Sequence, residues 1–95
     1  MKSEKNNMYY VYILQSLRNE DLYAGFSKDL KERVKKHFSK GVHTTERMGK
    51  IRLVFYEAYL NEKDARRREK YFKTTKGKRT LKLMLENSLK AGPVV

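Results

Sequence analysis

Cysteine is absent from this chain of 95 residues, which removes disulfides, thiolate zinc sites and cysteine nucleophiles from consideration. No stretch approaches the ~20 apolar residues that a membrane-spanning helix needs, so no membrane partner is expected. The opening MKSEKNN is polar with no apolar core behind it, unlike a secretory signal. There is no internal repeat, and no linker long enough to divide the chain. The expectation is therefore one cytoplasmic domain with a single modest core, monomeric by default. Acidic residues are also scarce. Eleven Asp and Glu face 23 Lys and Arg, giving a formal net charge of +12. Hydrophobic residues make up 39% and charged residues 36%, so the chain reads as globular with a heavily ionised surface. An excess of this size points to a polyanionic partner, nucleic acid first. The alternative is a cationic surface that only keeps the chain soluble.

The chain is organised around Tyr10 to His37, YVYILQSLRNEDLYAGFSKDLKERVKKH, which reads as strand, tight turn, strand and helix. Tyr12 and Tyr23 lie on either side of the polar turn Arg18-Asn19-Glu20-Asp21. A turn centred between Leu17 and Arg18 makes them direct partners, with ~5 Å between their Cβ atoms. Arg33 and His37 follow at i, i+4 spacing and share a helix face. Two phenols, a guanidinium and an imidazole converging near a basic surface make a candidate site for a phosphodiester.

The flanking elements follow from local pattern. Residues Met1 to Asn7 read as a disordered tail, 8–90 as the folded domain and 91–95 as a second tail. Tyr9 to Leu14 is apolar on both faces, as in the middle strand of a small sheet. Leu22 to Phe26 is the second strand, and Gly25 lets a backbone or ligand come close. Ser27 is the expected N-cap of a helix from Lys28 to Ser39, burying Leu30, Val34 and Phe38 with Arg33 and His37 at the rim. Lys40 to Lys50 reads as a loop. The third strand is Arg52 to Leu60, with Val54, Tyr56, Ala58 and Leu60 on one face. Asn61 caps a helix from Glu62 to Lys73. A last helix from Gly77 to Leu89 buries Leu81, Met84, Leu85 and Leu89, and Leu83 falls off that stripe.

The helix from Glu62 carries a local conflict. Ala65 and Phe72 face inward, and Glu69 points with them toward the sheet. An inward carboxylate is costly unless paired, protonated or bound to a metal. Two readings stand side by side: a buried ion pair to Arg33 or Arg68, or a Mg²⁺ ligand at the rim of the same cleft. Glu57 is a second carboxylate of interest, though within a strand it more often pairs with a neighbouring base. From Lys63 to Lys82 there are ten basic residues against two acidic ones, a surface suited to phosphate. Lys28, Lys36, Arg67, Lys70 and Lys73 are the candidate nucleic-acid contacts. His37 and His43 form only a weak metal pair. Lys76-Gly77-Lys78-Arg79-Thr80 lacks the first glycine and preceding strand of a phosphate loop.

At these residues the chain resembles the GIY-YIG nuclease superfamily, particularly its small stand-alone bacterial members of uncharacterised function. The resemblance covers roughly Met8 to Leu85. Tyr10-Val11-Tyr12 matches the first signature and Tyr23-Ala24-Gly25 the second, with ten residues between the motif tyrosines. The family's helix arginine falls on Arg33, the following histidine or tyrosine on His37, and the metal-binding glutamate on Glu69. Tyr10 stands where the first signature has glycine, and Ala24 where the second has isoleucine. Asn87 is the candidate for a further family asparagine. The resemblance implies a small α/β sandwich, a three-stranded antiparallel sheet flanked by helices in the order β-β-α-β-α-α. It also implies a Mg²⁺- or Mn²⁺-dependent endonuclease, acting on DNA rather than RNA, with structure rather than sequence preference, in DNA repair or processing. Tyr12, Tyr23, Arg33 and His37 would be catalytic and Glu69 the metal ligand. The rival is a nucleic-acid-binding module that keeps the fold without turnover, and a third reading is a subunit whose basic surface docks an acidic protein.

Overall fold

The structure is a computed structural model and describes residues 8–39 and 49–91. In chain order it forms β1 (Tyr9–Ser16), β2 (Leu22–Ser27), α1 (Leu30–Phe38), β3 (Ile51–Tyr59), α2 (Glu62–Phe72), α3 (Thr75–Met84) and α4 (Glu86–Lys90). The expected tail at 1–7, all but Ala91 of the expected tail at 91–95, most of the expected loop and His43 lie outside the described residues.

The sheet is antiparallel in the order β2-β1-β3. The central place of β1 explains why it is apolar on both faces: Val11, Tyr12, Ile13 and Leu14 have no exposed surface. Val11 and Ile13 face α2 and α3, where they join Leu22, Ala24, Ala65, Phe72, Leu81 and Leu85 in the core. By strand alternation Tyr10, Tyr12 and Leu14 point to the opposite face, under α1. The expected three-stranded α/β sandwich is what forms.

Several local expectations need correction. The hairpin register pairs Tyr12 with Gly25 and Leu14 with Tyr23, not Tyr12 with Tyr23. Ser16 Oγ accepts from the backbone N–H groups of Arg18 and Asn19, and Asn19 Oδ1 accepts from Asp21 N. Glu20 adopts a φ of 67°. These contacts move the turn one residue along the chain, so the pairing slips by two. A two-residue slip keeps side-chain parity, and both tyrosines stay on one face.

The N-cap of α1 is Asp29, whose side chain accepts from Glu32 N. Ser27 instead bonds both backbone groups of Asp29 and shapes the preceding turn. Phe38 is 51% exposed, and the fully buried residue of α1 is His37. Along β3 a bulge opposite Ile13 and Leu14 leaves Val54 as the extra residue. Val54, Phe55 and Tyr59 consequently pack on the core, while Tyr56, Ala58 and Leu60 are exposed.

Helix α2 matches its expectation. Asn61 Oδ1 accepts from Lys63 N at 2.8 Å, and Ala65 and Phe72 are its buried residues. The last helix divides at Leu85, and α3 starts two residues earlier than expected because Thr74 Oγ1 accepts from Gly77 N. A Cβ at Gly77 would collide with the Tyr71 carbonyl. That glycine is there for close helix packing. Leu81 and Leu85 are buried and Leu89 packs beside them, whereas Met84 is exposed. Leu83 is exposed as well.

Candidate active site

Tyr12 extends from the middle strand under β2, where its ring crosses Gly25. A Cβ at Gly25 would overlap the Tyr12 Cζ and hydroxyl and lie 2.7 Å from Cε1. The close approach that Gly25 permits is therefore by this ring, across one strand pair. The Tyr12 hydroxyl lies 2.8 Å from His37 Nε2, and Arg33 Nε donates to the same oxygen over a longer 3.4 Å. The His37 ring sits between the two tyrosines, with its centroid 5.5 Å from each. All four candidate catalytic residues thus come together, with Tyr12 and His37 fully buried.

Burial sets the protonation of this cluster. It pushes the Tyr12 phenol above its usual pKa, outweighing the Arg33 hydrogen bond that lowers it; Tyr23 and Glu69 add small upward influences. His37 is lowered to about 4, first by burial and then by the Arg33 charge. At neutral pH the site holds a protonated phenol and a neutral imidazole. Arg33 Nε can only donate to the phenol oxygen, and the bond between Tyr12 and His37 Nε2 takes its direction from the imidazole tautomer.

Glu69 extends from α2 with its side chain 16% exposed, close enough to influence the Tyr12 phenol. Its ion-pair partners are Lys73 at 3.0 Å and Arg66 at 3.9 Å, not Arg33 or Arg68. Arg68 bonds both oxygens of Glu57, at 3.0 and 3.1 Å, and its guanidinium lies 4.3 Å from the Phe72 ring centroid. Glu57 also accepts from Tyr59, whose pKa is pushed up to about 12 by burial and by that bond. Among the described residues no group of three or more His, Asp or Glu could hold a metal ion. A lone carboxylate suits Mg²⁺, which keeps much of its water and is often held by one or two carboxylates with substrate phosphate. The donor set at Glu69 fits that ion and does not form a protein cage.

The candidate nucleic-acid contacts are spread over the surface. Lys36 is exposed on α1, while Lys28 lies on the opposite flank of that helix, in a separate groove. Arg67 and Lys70 line a groove with Arg66 and Tyr9 at the start of α2. Arg67 is paired with Asp64, and Lys73 with Glu69. Asn87 is exposed on α4. Arg66 escaped the sequence reading. Its guanidinium stacks 3.7 Å from the Phe26 ring centroid while reaching toward Glu69. Its place one turn before Glu69 was the available signal, but the aromatic partner depends on how α2 packs over β2.

A family model described as the GIY-YIG catalytic domain matches residues 8–82. The chain belongs to the GIY-YIG family. This is a nuclease family. A UPF0213 protein of Clostridium perfringens is 36% identical over 84 residues, spanning 87% of this chain and 89% of that one. A UPF0213 protein of Pediococcus acidilactici is 32% identical over 92 residues, covering 94% and 93%. The solution NMR structure of the UPF0213 protein BH0048 from Bacillus halodurans superposes with a TM-score of 0.50 at 36% identity, over 90% of this chain and 88% of that one. The GIY-YIG domain here therefore resembles small bacterial proteins over nearly their whole length.

Proposed function

We propose that this GIY-YIG domain is a metal-dependent endonuclease that hydrolyses DNA phosphodiesters with structure rather than sequence preference. The observation that carries this reading is the Tyr12 hydroxyl, held between His37 Nε2 and Arg33 Nε within the influence of Glu69. Arg33 donates to a phosphate oxygen and balances the charge that builds on it. As the guanidinium turns toward phosphate, it leaves the phenol oxygen to an attacking water. That water adds to phosphorus and gives its proton to Tyr12, while the phenol proton passes to His37 Nε2. Phosphate bound at Arg33 offsets one of the two influences that depress His37, which eases this transfer. The bond from phosphorus to the leaving oxygen breaks, and that oxygen takes a proton from solvent. Glu69 would hold a Mg²⁺ or Mn²⁺, which would supply Lewis-acid stabilisation of the leaving oxygen. Tyr23 packs on the imidazole and fixes its position.

The test is nicking of supercoiled plasmid with Mg²⁺ or Mn²⁺ against a chelator control, beside Glu69→Gln and Arg33→Ala. The reading expects metal-dependent cutting that both substitutions abolish. Cutting that survives both overturns the assigned site. One observation favours a second reading, nucleic-acid binding without turnover: the Glu69 carboxylate is held by Lys73 at 3.0 Å. Tight oligonucleotide binding with no cutting on plasmid, branched or single-stranded substrates supports that alternative.

A further inference from the structure

Helix α1 divides the sheet face it covers. Arg33 and His37 lie on the flank toward Tyr12 and Tyr23. The other flank borders an open groove toward β3, of about 810 Å³, whose floor includes Val34 and Leu53. Two aromatic rings stand at its surface, Tyr56 at 53% and Phe38 at 51% exposure. Tyr10 meets the Tyr56 ring edge-on, with centroids 6.2 Å apart. Lys28, Lys31 and Lys35 line the groove along α1 and are all exposed. Among the described residues its one acidic residue, Asp29, is occupied as the α1 N-cap.

We propose that this groove binds an unpaired nucleotide segment, with bases stacked on Tyr56 and Phe38 and the backbone along the three lysines. Exposed aromatic rings beside a row of cations are the two parts of a single-strand binding surface. A base inside a duplex hides its faces, so stacking selects unpaired nucleotides. Charge argues against a second copy of this chain as occupant, because each copy would bring the same lysines to the interface. The groove lies about one helix width, ~10 Å, from the Tyr12 cluster. It therefore recognises single-stranded DNA next to a cleavage point and gives the structure preference a physical basis. The inference rests on the nucleic-acid reading of the domain, but it does not require turnover.

Fluorescence anisotropy with a labelled single-stranded oligonucleotide and a blunt duplex tests it, using the full chain and its Tyr56→Ala, Phe38→Ala and Tyr56→Phe variants. Both alanine substitutions are expected to weaken single-strand binding about tenfold and duplex binding less than twofold. Tyr56→Phe, which keeps the ring, is expected to bind like the parent. If the parent binds and cuts DNA while both alanine variants bind single strands normally, the groove proposal fails and the nuclease reading stands. Parental protein that neither binds nor cuts nucleic acid overturns both. An alanine variant that changes sedimentation from dimer to monomer, with oligonucleotide binding unchanged, overturns the proposal in favour of self-association.

Discussion

Acidification is expected to destabilise the folded chain through His37 in a window set by its burial. In the unfolded chain an imidazole titrates near 6.5, whereas in the folded chain His37 is lowered to about 4. Between those values the unfolded chain binds a proton that the folded chain does not, so falling pH favours unfolding. The contribution is fully present above 6.5 and is lost as pH falls through that value toward 4. Linkage over those limits gives a loss of about 2.5 kcal/mol between about pH 7.5 and about pH 4.5. Urea denaturation at both pH values measures it. Carboxylates titrate over the same range, so the quantity of interest is the difference in pH-induced loss between parent and His37→Gln. The parent should lose about 2.5 kcal/mol more. An NMR titration of His37 with a midpoint near 6.5, or equal losses in the two proteins, would refute the reasoning.

Three further outcomes follow from the same contacts. Gly25→Ala should displace the Tyr12 ring, cost about 1 to 3 kcal/mol of stability in thermal or chemical unfolding, and abolish cutting. A normally active alanine variant would mean that the ring has room to move without losing its place. Arg68→Ala should destabilise by about 1 to 3 kcal/mol, with Glu57→Gln milder, because it leaves the partly buried Glu57 carboxylate without its bidentate partner; denaturant midpoints check this. For the free domain, kcat/KM should be flat from about pH 5.5 to about pH 8.5, since relay through neutral His37 needs only that the imidazole stay unprotonated. An acid limb near 6.5 would contradict that relay, and a steady rise with pH would point to the phenolate instead.

The architecture was legible because each element carried its own period. The both-face apolar run of β1 marked a central strand, and Asn61 with Ala65 and Phe72 marked α2 and its inward face. The cluster was legible for a related reason: strand parity survives a two-residue slip, so the misjudged turn still left Tyr12 and Tyr23 facing the same side. What escaped depends on particular side-chain contacts that periodicity does not encode. Ser16 recruiting two backbone N–H groups moved the turn. The bulge opposite Ile13 and Leu14 changed which β3 residues meet the core. Periodicity alone placed Phe38 under α1, yet a polar slot beside two tyrosines takes an imidazole instead. The partners of Glu69 were wrong because the Arg68 side chain lies over Phe72 and reaches Glu57, leaving Lys73 and Arg66 to meet the carboxylate.

Where Gly25 lacks a side chain, the Tyr12 ring fills the space, so the two positions share a single volume across the hairpin. That sharing offers a way to separate folding from chemistry. Tyr12→Leu combined with Gly25→Ala removes the phenol and returns part of its volume from the neighbouring strand. Such a protein should keep the hairpin packed while holding no hydroxyl between Arg33 and His37. It would be an inert scaffold against which every binding surface of the domain could be measured with the reaction switched off.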